Sequence, residues 1–137
     1  MFSLSRTLKH YPIPLYSCSI AAGFPSPADE FLEGKLDLNQ HLIHHPLATY
    51  FVRVSGESML GAGIHPGDLL IVDRSIEARD GKIVIAVVNG ELLVKRLRLE
   101  GTQPYLMAEN PDYPQLEITE AMEFQIWGVV TSVIHQV

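Results

Sequence analysis

The chain is 137 residues long, 47% hydrophobic and 19% charged, with a formal net charge of -6. That size and balance fit one globular domain able to bury about two thirds of its unfolded surface, and the acidic excess argues against a nucleic-acid-binding surface. A single cysteine, Cys18, excludes an internal disulfide and suits a reducing cytoplasm, and no apolar run approaches the roughly 20 residues of a membrane span.

Charge is distributed unevenly. Residues 1–22 carry Arg6 and Lys9 and no acid, so this stretch is +2 and the remainder is -8. Exposed charge pairs contribute only about 0–1 kcal/mol each, so the asymmetry guides a basic arm toward an acidic body without clamping it. The basic start, apolar middle and Ser19-Ile20-Ala21 imitate a secretory signal, but Pro12 and Pro14 interrupt the apolar middle. The two prolines predict an extended arm instead.

Phe24-Pro25-Ser26-Pro27 is expected to stay extended, followed by a short helical turn over 28–32. Asp37-Leu38-Asn39-Gln40 has the form of a capping box and predicts a helix over 38–44, ended by Pro46. His41, His44 and His45 lie close by, but no carboxylate or cysteine completes a ligand set at metal spacing, so no metal or other cofactor is expected.

From Thr49 onward the pattern is that of strands, over 49–55, 69–73, 82–88, 91–99, 104–108 and 123–133. Asn89-Gly90 between two apolar runs predicts a type I′ hairpin. The run 83–88 is apolar on both faces, which implies either a buried central strand or an interface. Together with the apolar run 127–134 it offers more apolar surface than one small sheet covers, which predicts a homodimer. The expected architecture is mostly β, a partly closed and strongly bent antiparallel sheet assembly with one or two short helices and an extended N-terminal arm.

Chemistry concentrates at Ser55-Gly56-Glu57-Ser58-Met59. Tyr50, Val52 and Val54 alternate with Phe51, Arg53 and Ser55, and Gly61, Gly63 and Pro66-Gly67 signal turns, so Ser58 stands where a strand ends among flexible backbone. Such a hydroxyl is inert without a proton acceptor. The candidate acceptor lies 37 residues on, where Leu93, Lys95, Leu97 and Leu99 form the apolar side of a strand and Lys95 is its one charge. Desolvation there lowers a lysine pKa and favours the neutral amine that a general base requires. Two plainer readings stand beside this one: Ser58 as a helix N-cap, and Lys95 with its ammonium carried out to water or paired with an acid.

Ala22-Gly23-Phe24-Pro25-Ser26-Pro27, Ser55-Gly56-Glu57-Ser58-Met59, Gly67-Asp68-Leu69-Leu70-Ile71-Val72-Asp73 and Val94-Lys95-Arg96-Leu97 resemble, in order and spacing, the self-cleaving serine/lysine peptidases of the LexA/UmuD family. The resemblance spans residues 24–130, and its UmuD branch is the more similar. It implies Ser58 as nucleophile, Lys95 as general base and Ala22-Gly23 as the scissile bond, dividing the chain into an arm over 1–22 and a peptidase domain over 23–137. Gly56 is expected to leave room for oxyanion donors, and Met59 to pack beneath the nucleophile. The resemblance further implies a homodimer, stimulation by RecA filaments on single-stranded DNA, and a cleaved product that serves a UmuC-like Y-family translesion polymerase in the cytoplasm. Three alternatives are less favoured: a non-catalytic adaptor or clamp of the same fold, a LexA-like repressor fragment, and a signal peptidase. The 22 residues before the cut are few for a DNA-binding domain, and a signal peptidase would bring a membrane-spanning helix.

Overall fold

The computed structural model describes residues 10–16 and 32–137, and the chain divides into two units, Met1–His44 and His45–Val137. The bond between Ala22 and Gly23, the segment Phe24-Pro25-Ser26-Pro27 and most of the helical turn expected over 28–32 lie outside the described residues. Among the described residues no helix is long and apolar enough to cross a membrane.

In the first unit, β1 (Ile13–Tyr16) pairs antiparallel with β2 (Leu32–Leu36). Extended backbone around Pro12 and Pro14 accords with the fixed φ of proline, and a two-stranded ribbon has free edges that tolerate a residue without an N–H. Leu32, expected at the end of a helical turn, instead begins β2. Asp37 then caps α1 (Leu38–Leu42), its Oδ1 accepting from the Asn39 N–H at 3.0 Å. The reciprocal half of the capping box does not form among the described residues; Asp37 Oδ2 meets His10 Nδ1 at 3.0 Å. The helix stops two residues before the expected end because Ile43 turns to extended backbone, with its N–H on the Asn39 carbonyl.

The second unit is a seven-stranded antiparallel sheet. Its strands are β3 (Thr49–Arg53), β4 (Leu69–Asp73), β5 (Ile83–Val88), β6 (Glu91–Glu100), β7 (Gln103–Met107), β8 (Leu116–Glu117) and β9 (Phe124–Ile134). They lie in the order β3-β4-β9-β5-β6-β7-β8, so the sheet stops short of closure and ends on β3 and β8. All six expected strands are present within two residues at each end, and the two-residue β8 is additional. Asn89 (φ 51) and Gly90 (φ 82) both take left-handed backbone, as a type I′ turn between β5 and β6 requires.

β9 bends the sheet. Its register slips once against β4, passing over Thr131, and once against β5, passing over Trp127. The Trp127 carbonyl, left out of the ladder, accepts from the Tyr50 hydroxyl at 3.1 Å. Between the two bulges lies Gly128, where a Cβ would come within 2.6 Å of Val72 Cγ1, so only glycine lets β9 approach β4 there.

The apolar strand β5 is the divider between two cores. Val84, Ala86 and Val88 pack with Leu97, Leu106, Ile118 and Val129. Ile85, from its other face, packs with Val54, Met59, Ile64, Leu70 and Val72. Of the two readings of this run, the buried central strand is the one realised, flanked by β9 and β6. Exposed apolar surface lies elsewhere, on Leu47, Phe51 and Trp127.

Candidate active site

β3 delivers the chain to the Ser58 turn, and backbone hydrogen bonds extend its hold beyond the strand. The Val54 N–H donates to the Asp68 carbonyl (2.9 Å), and the Gly67 N–H donates to the Val54 carbonyl (2.8 Å). Gly56 then turns the chain with φ +82. A Cβ on Gly56 would meet no protein atom within 4 Å, and it is the left-handed backbone that calls for glycine at this position. Met59, 2% exposed, roots the turn in the core with Ile64, Leu70 and Ile85. A short 3₁₀ turn over Leu60–Ala62 follows and is closed by Gly63 in left-handed backbone. Ser58 heads no α-helix, so the N-cap reading does not apply.

Ser58 is half-buried and lines a 300 Å³ cleft together with Val54, Leu70, Ile85, Leu93 and Lys95. Lys95 reaches that cleft from the middle of β6, opposite Val84 of β5. The apolar side expected for β6 holds at Leu93 and Leu97 but gives out at Leu99, which is exposed. Burial pushes the Lys95 pKa below its ordinary value, and the negative charge of Glu91 pulls weakly the other way. Among the described residues Lys95 has no ion-pair partner; its Nζ sits 5.5 Å from the centre of the Tyr113 ring.

A brace joins the two candidates, and the sequence reading missed it. The Glu109 N–H donates to the Ser58 carbonyl (2.8 Å), and the Glu109 carbonyl accepts from Gly61 N–H (2.6 Å). Asn110 Nδ2 donates to the Glu57 carbonyl (2.9 Å). The Glu109 carboxylate is ion-paired with Arg96, the neighbour of Lys95 on β6. One segment thus holds the serine turn by its backbone and the lysine strand by its side chain. Nothing in the local pattern of Glu109-Asn110 marks it, because its partners are far away in sequence.

A larger cleft of 530 Å³ lies on the second unit, lined by Arg74, Ile76, Ala78 and Trp127 among others, and it brings together no nucleophile and base. The candidate site is therefore the smaller one. His41, His44 and His45 form no ligand cluster among the described residues; His44 Nε2 donates to the His41 carbonyl and His45 Nδ1 meets buried Asp73 at 2.6 Å.

Comparison with known proteins places the whole chain in a family. Residues 14–131 match the family described as Peptidase S24-like. The chain is 46% identical to Protein MucA of Escherichia coli over 132 residues, covering 96% of this chain and 90% of that one. It is 47% identical to Protein SamA of Salmonella typhimurium over 123 residues, 90% of this chain and 85% of the relative. The LexA repressor of Dechloromonas aromatica is 41% identical over 130 residues, 94% of this chain but 64% of the repressor. The family match over residues 14–131 and the identity to MucA and SamA over most of both chains identify this chain as a UmuD-like member of the LexA/UmuD family of S24 peptidases.

Proposed function

We propose that this protein cleaves its own chain between Ala22 and Gly23, with Ser58 as nucleophile and Lys95 as general base. The observation that carries the reading is that Ser58 and Lys95, 37 residues apart in sequence, line one cleft in which burial depresses the lysine pKa. Neutral Lys95 Nζ takes the Ser58 hydroxyl proton while Oγ bonds to the Ala22 carbonyl carbon. The C–N bond to Gly23 then breaks, and the lysine returns the proton to the departing amine. Lys95 Nζ, neutral again, then deprotonates a water that attacks the acyl-serine, and the proton passes to Ser58 Oγ as the Ala22 carboxylate is released. The oxyanion is assigned to N–H groups of the serine turn, because neither Ser58 nor Met59 donates to a carbonyl among the described residues. Because the scissile bond is carried by the same molecule or its dimer mate, effective concentration replaces a dedicated substrate pocket.

Membership of the SOS mutagenesis relatives MucA and SamA supports the wider role: stimulation by a RecA filament on single-stranded DNA, and service of the shortened product to a UmuC-like polymerase. A homodimer is supported by the exposed apolar residues Leu47, Phe51 and Trp127 on the second unit.

The test is the rate of appearance of the fragment beginning at Gly23, followed by intact-mass spectrometry from about pH 6 to pH 11 without activator. Rate tracks the neutral fraction of Lys95. At a reference pKa near 10.4 that fraction is about 0.1% at pH 7.4 and rises nearly tenfold per unit of depression. The expected profile climbs with pH and then levels off, and Ser58→Ala yields no fragment. A plateau already reached by pH 7 points to a histidine base and removes Lys95 from the role.

A further inference from the structure

The sequence holds six histidines, and two of them, His65 and His135, converge on one buried carboxylate. His65 opens the turn that leads into β4, and Asp68 closes it. His135 follows the last residue of β9, and Leu69 pairs with Ile134, so the sheet register itself sets His135 beside Asp68. His135 Nδ1 lies 2.6 Å from Asp68 Oδ1, and His65 Nδ1 lies 3.7 Å from Asp68 Oδ2. The two imidazole rings stand 4.9 Å apart, and the three donor atoms all lie within 4.8 Å of one another.

The donors have the chemistry and rigidity of a metal site. Two imidazole nitrogens and one carboxylate oxygen suit Zn²⁺ and its first-row neighbours. Asp68 is held before any ion arrives, since its Oδ2 accepts from the His65 N–H at 2.8 Å and its backbone is tied to Val54. The imidazoles can adjust: the side chains of His65 and His135 are about half exposed, while that of Asp68 is 2% exposed. Donors of a tetrahedral zinc site lie about 3.3 Å apart, so binding asks for ring shifts of about an ångström, in exposed side chains. A 420 Å³ cleft lined by Gly67, Asp68 and His135 adjoins the cluster and leaves space for a water as fourth ligand. Arg53, the cation in that cleft, is engaged with the Gly67 carbonyl at 2.9 Å.

We infer that His65, Asp68 and His135 form a binding site for one divalent zinc ion, which ties the end of β9 to the turn before β4. The ion takes the place of the hydrogen now shared between His135 and Asp68. This site is separate from the Ser58 and Lys95 cleft, and its existence does not depend on self-cleavage.

The experiment uses the full, untagged chain, stripped with chelator. Co²⁺ is titrated as a spectroscopic probe, followed by Zn²⁺ by calorimetry and by the thermal midpoint. The expected result is one ion per chain, four-coordinate Co²⁺ bands that Zn²⁺ abolishes, and a raised Tm in zinc. His65→Gln and His135→Gln each weaken binding at least tenfold, and the control His44→Gln leaves it unchanged. Absence of saturable binding up to about 1 mM Zn²⁺ overturns the proposal. So does binding that survives either of the two site variants, or that His44→Gln weakens equally.

Discussion

Replacing Gly61 by alanine places a methyl group 2.7 Å from the Glu109 carbonyl oxygen, where ordinary contact begins near 3.4 Å. The backbone of Gly61 is not left-handed, so the alanine can form and the clash must be relieved by Glu109. A retreat of about 0.7 Å stretches the 2.6 Å bond from the Gly61 N–H toward about 3.3 Å, beyond the normal range. Overpacking of this kind costs about 1–3 kcal/mol and a weakened hydrogen bond about 1 kcal/mol, offset by about 0.4–1 kcal/mol from the stiffer unfolded chain. The net expectation is a loss of about 2 kcal/mol, or about 6–12 °C in Tm for a domain of this size. Glu109 also holds the Ser58 carbonyl, so the serine moves with it, and a displacement near 1 Å costs about a hundredfold in rate. Thermal melts and the rate of the Gly23 fragment measure the two effects. Gly63→Ala is the comparison: it strains a residue at φ +78 by about 1–2 kcal/mol but meets no atom within 4 Å, so Glu109 stays in place. A Gly61→Ala chain with wild-type Tm and wild-type cleavage would refute the brace, as would equal slowing by Gly63→Ala.

The charged form of Lys95 is disfavoured by burial, so its folded pKa lies below the unfolded value of 10.5 and its unfavourable contribution is relieved as pH rises through the folded pKa. Lys95→Met is therefore expected to keep or raise the urea midpoint at pH 7 while producing no fragment, and its advantage over wild type should shrink in alkali; a large loss of stability at pH 7 contradicts this. Asp73 behaves oppositely. Burial works against its ionised form, but hydrogen bonds from Ser75 Oγ (2.6 Å), His45 and the Ser75 N–H outweigh it and lower its pKa. The stability it contributes is fully present above the unfolded pKa near 3.9 and is lost as pH falls through the lower folded value. Ser75→Ala should flatten the decline in urea midpoint between about pH 5 and pH 2, and an unchanged acid limb would show that Asp73 does not carry it.

Features set by neighbours in the chain were legible in the sequence. The strands announced themselves by alternation, the Asn89-Gly90 turn by the two residues that tolerate positive φ, and the α1 cap by Asp37. Ser58 stood out as a hydroxyl after a strand and among glycines, and Lys95 as a charge on an apolar face. Gly56 was also marked, and its left-handed backbone gives a reason for glycine that the sequence pattern did not show. Short β8 and the pairing of β1 with β2 escaped notice, since two to five residues carry too little periodicity to separate strand from loop.

Only tertiary structure decided which of these residues meet. Ser58 and Lys95 share a cleft because β3 and β6, separated in the sheet by β4, β9 and β5, curve around a core that Met59 and Ile85 fill. Glu109 joins their two segments, and His135 reaches Asp68 across 67 residues through the register of β9 on β4. Local sequence sets backbone dihedrals and the alternation of faces. It carries no signal for a contact whose partners become neighbours only when bulges at Trp127 and Thr131 bend one strand across two others.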